Sequence, residues 1–244
     1  MSRSRNEPPR YRRAPGWLRA RSEAKRRRNP LLRALGDADQ ALLRVLRTRG
    51  HQPPLEATMR AVGTAGEYAA VWAAIGSLGA LADPGRRRRW AIAALVGPVS
   101  IGVNYAVKVA AGRDRPLIEG HPALARAPSK LSFPSAHATS SMAAATALGR
   151  IEPRSRVPLF ALAGAICLSR PYLGMHYPSD VLAGAVLGLA LGALAPGLRA
   201  PDTEDRLIDL VNEAHGAAAG APDRSNGAQP EAAAPDAAPE RPPA

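Results

Sequence analysis

Five apolar stretches, near residues 61–82, 90–107, 137–149, 157–169 and 181–198, are separated by short loops crowded with Arg and Pro. A hydrocarbon core takes about 20 apolar residues of helix to cross, so the second and fifth stretches nearly suffice alone. The third and fourth need their polar flanks, and the first carries Glu67, which is expensive in lipid unless it faces the bundle. The expected fold class is therefore all-α, a multi-span transmembrane helix bundle of about five spans. A soluble all-α protein with buried helices is the alternative, and the segment lengths and Arg-dense loops weigh against it. Abundant Gly and Ala in the same stretches suit close packing of helices in lipid.

Charge is distributed in a way that fits this picture. Of the net +13, residues 1–36 hold twelve Lys/Arg against two acids, whereas residues 201–244 hold three against nine. Nucleic-acid binding would ask for a basic face interleaved with stacking aromatics, but aromatic content is 4% and no such motif is present, so no nucleic-acid partner is expected. Residues 1–36 read as a disordered basic arm suited to anionic head groups or plain solvation, 37–200 as the membrane-embedded domain, and 201–244 as a mostly disordered acidic Ala/Pro tail. From Asp37 a pattern with Leu42, Leu43, Val45 and Leu46 predicts an amphipathic interfacial helix that Pro53 and Pro54 stop, and Thr203 to Glu213 predicts one short tail helix. No apolar stretch follows the first basic cluster, so insertion is expected to use internal segments. The single cysteine, Cys167, allows neither an intramolecular disulfide nor a cysteine-rich metal site.

Three polar clusters stand at the ends of the apolar stretches. The first is Lys108 to Pro116, in which Lys108 and Arg115 are two helical turns apart and would share a face if the second helix ran on. The second is Phe133-Pro134-Ser135-Ala136-His137, at the start of the third stretch, where exposed backbone N–H groups of a helix N-terminus would cradle phosphate. The third is Ser169-Arg170 followed by His176 and Asp180, between the fourth and fifth stretches. A phosphomonoester dianion needs fixed cations and amides, and Lys108, Arg115, Arg170 and the 135–137 backbone could supply them. A neutral imidazole can attack phosphorus once a carboxylate fixes its tautomer, as Asp180 could do for His176, with His137 left to protonate the leaving alkoxide. Each piece alone is ordinary; Asp180, for example, would also serve as a helix cap.

Taken together, Lys-x6-Arg-Pro, Pro-Ser-x-His and Ser-Arg-x5-His-x3-Asp resemble the three-part signature of the type-2 phosphatidic acid phosphatase (PAP2) superfamily, over roughly residues 61–198. The resemblance implies a metal-independent phosphatase with no cofactor. In it His176 would be the nucleophile, Asp180 its partner, His137 the general acid, and Lys108, Arg115, Ser135, the Ala136 amide and Arg170 the phosphate ligands. The family usually has Gly where Ala136 stands; a backbone N–H survives that change. Gly-Thr-Ala-Gly-Glu67-Tyr also looks like bacterial decaprenylphosphoryl-phosphoribose phosphatases. The substrate expected is thus a lipid or polyprenyl phosphate, handled by an integral protein of the cell membrane. Two other classes are a phosphorylated-lipid binding or transport protein without turnover, and a soluble vanadate-dependent haloperoxidase, whose solubility conflicts with the apolar stretches.

The remaining charged groups have no such company. His51, His121 and His215 are assigned to loops, and Arg113, Asp114, Arg126 and Lys130 to loop solvation or lipid head-group contacts. The loops with Arg86–Arg89 and with Arg150, Arg154 and Arg156 lie opposite the three clusters, and the positive-inside rule puts them in the cytoplasm and the site outside. The basic arm argues for the reverse. Sequence thus leaves membrane orientation, oligomeric state and the choice between mono- and diphosphate open.

Overall fold

The structure is a computed structural model that describes residues 29–127, 129–198 and Val211. The expected basic arm and nearly all of the expected acidic tail, with its short helix and His215, lie outside the described residues. Among the described residues there are seven α-helices and no strand, with two isolated β-bridges in the 114–131 loop. We number them α1 (Pro30–Thr48), α2 (Pro53–Ala65), α3 (Ala70–Ala82), α4 (Arg87–Ala111), α5 (Ala136–Ile151), α6 (Arg156–Tyr172) and α7 (Pro178–Leu194).

Helix α5 is the hub, packed against α4, α6 and α7, and most of its residues are buried. Its partner α7 carries Gly184, Gly188 and Gly192 one turn apart on a single face. A Cβ on Gly188 would stand 2.3 Å from the Thr139 carbonyl oxygen, and one on Gly192 would stand 2.4 Å from that of Ala143. Backbone meets backbone along this seam, the arrangement small residues permit between helices in lipid. Gly188→Leu is therefore expected to destabilise the bundle by about 3 kcal/mol or more, since the obstructing atom is main chain and cannot turn aside. Thermal unfolding of the detergent-purified variant checks this; a midpoint within a degree of wild type would contradict the packing.

The Arg-rich loops act at the far end of the bundle. Arg86 donates to the Ile151 carbonyl at 2.7 Å, Arg150 to that of Ala193 at 2.6 Å and Arg156 to that of Gly149 at 2.9 Å. These cations satisfy the orphan carbonyls of α5 and α7 and face the negative ends of their dipoles.

One expectation changes in this region. The first apolar stretch is not one helix: Tyr68 and Ala69 take left-handed φ values of 53° and 60°, and the chain breaks between α2 and α3. Glu67 stands at this break rather than on a lipid-facing surface of a continuous helix. Gly66, the C-cap of α2, is the stop signal the sequence did offer, although positions 68 and 69 themselves are neither Gly nor Pro. Of the five expected spans, Pro84–Ala111 alone among the described residues is long and apolar enough to cross a membrane, while Glu67–Ala82 and Pro178–Leu194 are apolar but shorter. Leu78, Leu81, Leu95, Val99, Leu182 and Val186 are all exposed, a distribution that suits lipid rather than water as the surrounding solvent.

The amphipathic helix α1 starts at Pro30, seven residues before the expected Asp37. Asn29 accepts from the Leu31 amide at 2.9 Å and Pro30 occupies the first helical position, a start signal that an apolar pattern alone passes over. Its inner face is Asp39, Leu43 and Arg47, spaced one turn apart and all buried, while Leu31, Leu35, Leu42 and Val45 stay exposed. Arg47 donates to the carbonyls of Tyr172 (3.0 Å) and Pro122 (2.8 Å), and His51 stacks on the Tyr172 ring at 4.2 Å. Those contacts fix α1 to the C-terminus of α6, the end at which the three polar clusters meet.

Candidate active site

Helix α4 delivers Lys108 in its last turn, and Gly112, with φ of 62°, ends the helix there. Arg115 accordingly sits in the following loop rather than on a continued helix. The turn at Gly112, not a shared helical face, brings it beside Lys108. Helix α5 begins at Ala136 with Ser135 as N-cap, and its first intrahelical bond runs from the Thr139 amide to the Ser135 carbonyl at 3.0 Å. The amides of 136–138 precede that bond and point out of the helix start. The loop between α6 and α7 brings His176, and the first turn of α7 brings Asp180.

Lys108, Arg115, Ala136, His137, Arg170 and His176 line one cavity of about 480 Å³ at this end of the bundle. Ser135, the N-cap before Ala136, is not among the lining residues, and its Oγ is buried with no hydrogen-bond partner, as is Nε2 of His137. Arg115 donates to Met175 O at 2.7 Å, to Ser129 O at 2.8 Å and to Nε2 of His176 at 3.1 Å. A guanidinium has no acceptor, so Nε2 is the lone-pair nitrogen and the proton of a neutral ring sits on Nδ1. That Nδ1 faces Asp180 Oδ2 at 3.6 Å, longer than a hydrogen bond. Burial first, then the charges of Arg115, Lys108 and Arg170, hold the His176 imidazole well below its usual range, which keeps it neutral near pH 7.

The Lys108 ammonium donates to the carbonyls of Leu131 (3.3 Å), Ser132 (3.2 Å) and Pro134 (2.8 Å). It therefore clamps the loop that presents Ser135 while also lining the cavity. Asn104, one turn earlier and fully buried, donates to Thr139 Oγ1 at 2.9 Å and to Pro134 O at 3.3 Å, tying the same loop to α4. Its position in an apolar run gave the sequence no reason to single it out beyond its polarity.

Asp180 joins the two roles the sequence left open. Its Oδ2 accepts from the Tyr177 amide at 2.9 Å, capping α7, and the same oxygen faces His176. Its Oδ1 accepts from Arg113 at 2.8 Å. Arg113, expected in loop solvation, has instead a side chain only 15% exposed and is paired with both Asp180 and Asp39. The available signal was Asp39 itself, four residues before Leu43 and so on the buried face of α1. Of the other loop groups, Arg126 lines the cavity, as do Glu67 and Tyr68. His121 is exposed and donates to or accepts from nothing beyond its own turn among the contacts resolved at its ring.

The PAP2 superfamily model matches residues 86–202. A decaprenylphosphoryl-5-phosphoribose phosphatase of Mycobacterium tuberculosis is 42% identical over 147 residues, 59% of this chain and 80% of that one. The chain belongs to the PAP2 superfamily. A Mycolicibacterium smegmatis protein of the same description is 38% identical over 150 residues, 60% of this chain and 80% of that one. Among solved structures, the transmembrane PAP2-type phosphatidylglycerolphosphate phosphatase of Bacillus subtilis aligns with a TM-score of 0.56 at 26% identity, covering 67% of this chain and 85% of that one. These PAP2 relatives are phosphatases, and the structural neighbour is a transmembrane protein. The all-helical fold and the membrane setting agree with both.

Proposed function

We propose that this PAP2 protein hydrolyses a phosphomonoester carried by a membrane lipid or polyprenyl carrier, by transfer of the phosphoryl group to Nε2 of His176. The observation that supports it most is the meeting of Arg115, Arg170, His137 and the neutral, buried His176 on one cavity. The incoming phosphate would draw Arg115 off Nε2, at once gaining a guanidinium partner and uncovering the nucleophilic lone pair. Arg170, Ser135 Oγ and the 136–138 amides would take the remaining phosphate oxygens, with Lys108 acting through its charge, stabilising the negative charge that builds up in the transition state.

As the Nε2–P bond forms, the P–O ester bond breaks and the alkoxide takes a proton from His137. Asp180 would stabilise the positive ring that results. Water, deprotonated by His137, then attacks phosphorus, the P–N bond breaks and inorganic phosphate leaves. Charge neutralisation in this scheme comes from side-chain cations, which makes the reaction independent of divalent metal.

About five membrane crossings, with α2 and α3 together making the first, would put the cavity at the lipid boundary, where a tail stays in the bilayer while its phosphate enters. The likeness to decaprenylphosphoryl-5-phosphoribose phosphatases favours a polyprenyl-phosphoryl pentose phosphate as substrate. A phosphate-release panel in detergent tests this reading, with dioctanoyl phosphatidic acid, farnesyl phosphate, farnesyl diphosphate and a polyprenyl-phosphoryl ribose 5-phosphate, each with and without EDTA. The expected result is turnover that EDTA leaves unchanged and that is fastest on the ribose phosphate. Binding of these lipids without release of phosphate would favour a carrier instead.

A further inference from the structure

We propose that Arg113 and Asp39 are positioning residues of the reaction: Arg113 holds the Asp180 carboxylate so that Oδ2 faces His176, and Asp39, carried in on α1, holds Arg113. This rests on the His176–Asp180 pair of the mechanism above, and neither residue belongs to the three-part signature.

The contacts form one continuous path. Arg113 Nη1 donates to Asp180 Oδ1 at 2.8 Å and to Ser179 Oγ at 2.7 Å, and Nη2 donates to Asp39 Oδ2 at 2.6 Å. The Tyr177 ring lies under the guanidinium, 4.0 Å from its centroid. Asp39 in turn accepts from the Ser179 amide at 2.9 Å and from the Ser179 hydroxyl, so it stands at the N-terminus of α7, where a carboxylate is favoured. Asp180 is fully buried and Asp39 nearly so.

Geometry explains why this is more than a tie between α1 and the bundle. A carboxylate has two oxygens and rotates about its last bond. With Oδ1 held by Arg113 and Oδ2 held by the Tyr177 amide, that rotation is stopped with Oδ2 on the side of His176. Charge matters as much as direction. The transferring ring becomes positive and needs an ionised carboxylate beside it, yet a fully buried carboxylate without a cation tends to take up a proton. Arg113 is the cation that touches Asp180, and it is shared with a second carboxylate, Asp39, which keeps it from quenching Asp180 altogether. The phosphate-binding cations Lys108, Arg115 and Arg170 are separate side chains, so loss of Arg113 should slow the chemical step and spare phosphate binding.

The test is a double-mutant cycle on the full-length chain in detergent, with the fastest substrate of the panel above and inorganic phosphate as competitive inhibitor. Arg113→Met is expected to lower kcat by about 30-fold or more, with KM and phosphate inhibition within about threefold of wild type. In an Asp180→Asn background, followed through its residual turnover, the same substitution should lower kcat less than about twofold, because the residue it acts through is already gone. A kcat within threefold of wild type, an equal loss in both backgrounds, or a parallel loss of phosphate inhibition would each overturn the proposal. Should Arg113→Met fail to fold, the isosteric Asp39→Asn enters the same cycle, with about a fivefold fall in kcat expected in the wild-type background and none in Asp180→Asn. No fall, or the same fall in both, would overturn it. His176→Ala is the control that separates the layers: turnover surviving it defeats the mechanism itself, whereas a dead His176→Ala beside a fully active Arg113→Met defeats this inference alone.

Discussion

Replacing His176 with Ala is expected to lower phosphate release by at least about 10⁴-fold, equivalent to more than about 5 kcal/mol of transition-state stabilisation. The size follows from what is removed. The cations and amides around the cavity can still bind a phosphate, but among the described residues His176 is the histidine whose ring nitrogen meets Arg115. His137 lines the cavity from α5, yet among the described contacts it has no carboxylate partner, so a ring made positive by phosphoryl transfer would be unsupported. Substrate KM should change little, since an alanine leaves Arg170, Lys108 and the helix start in place. Steady-state phosphate release in detergent checks the rate. A residual rate within tenfold of wild type would mean that water attacks directly and that His176 merely positions the phosphate.

Asp180→Asn is expected to lower kcat by about 10³-fold while leaving the protein folded. Asn keeps an oxygen to accept from the Tyr177 amide, so the cap of α7 survives. What disappears is the negative charge beside His176. With that oxygen kept on the Tyr177 amide, the NH2 faces Arg113, a donor against a donor, so the group beside His176 is also held less firmly. Both effects act on the chemical step, so kcat should fall far more than KM rises. Comparison of kcat, KM and the thermal unfolding midpoint separates this from simple destabilisation: a midpoint lowered by many degrees with activity lost in proportion would assign Asp180 to the cap alone.

The grouping of the candidate residues was more legible in sequence than the bundle that carries them. Lys108, Arg115, Ser135, Ala136, His137, Arg170, His176 and Asp180 were identifiable because polar groups at the ends of apolar helices are expensive there and stand out by spacing. What sequence could not show is the path by which they meet. Arg115 reaches the cavity through the Gly112 turn, because the helix that was expected to carry it stops at Ala111. Lys108 spends its three N–H donors on the 131–134 carbonyls, a loop contact that no periodicity reports. The break at Tyr68 and Ala69 rests on backbone angles that L-residues seldom adopt; Gly66 could have marked the end of α2, but the left-handed pair after it has no sequence signal. Arg113 and Asp39 were passed over for a related reason. A charged residue on an amphipathic helix or a loop is solvated by default, and only a tertiary fold that buries it against a second charge says otherwise.

The claim on which the account stands is that phosphorus becomes bonded to His176. A His137→Asn variant with an aryl phosphate provides the cleanest view, because a good leaving group departs without an acid while the hydrolysis of the intermediate loses its base. Labelled phosphate should then accumulate on the protein, stable to alkali and labile to acid, and peptide mapping should place it on His176. Release of the aryl alcohol with no label on the protein, or with the label on any other residue, would contradict the account.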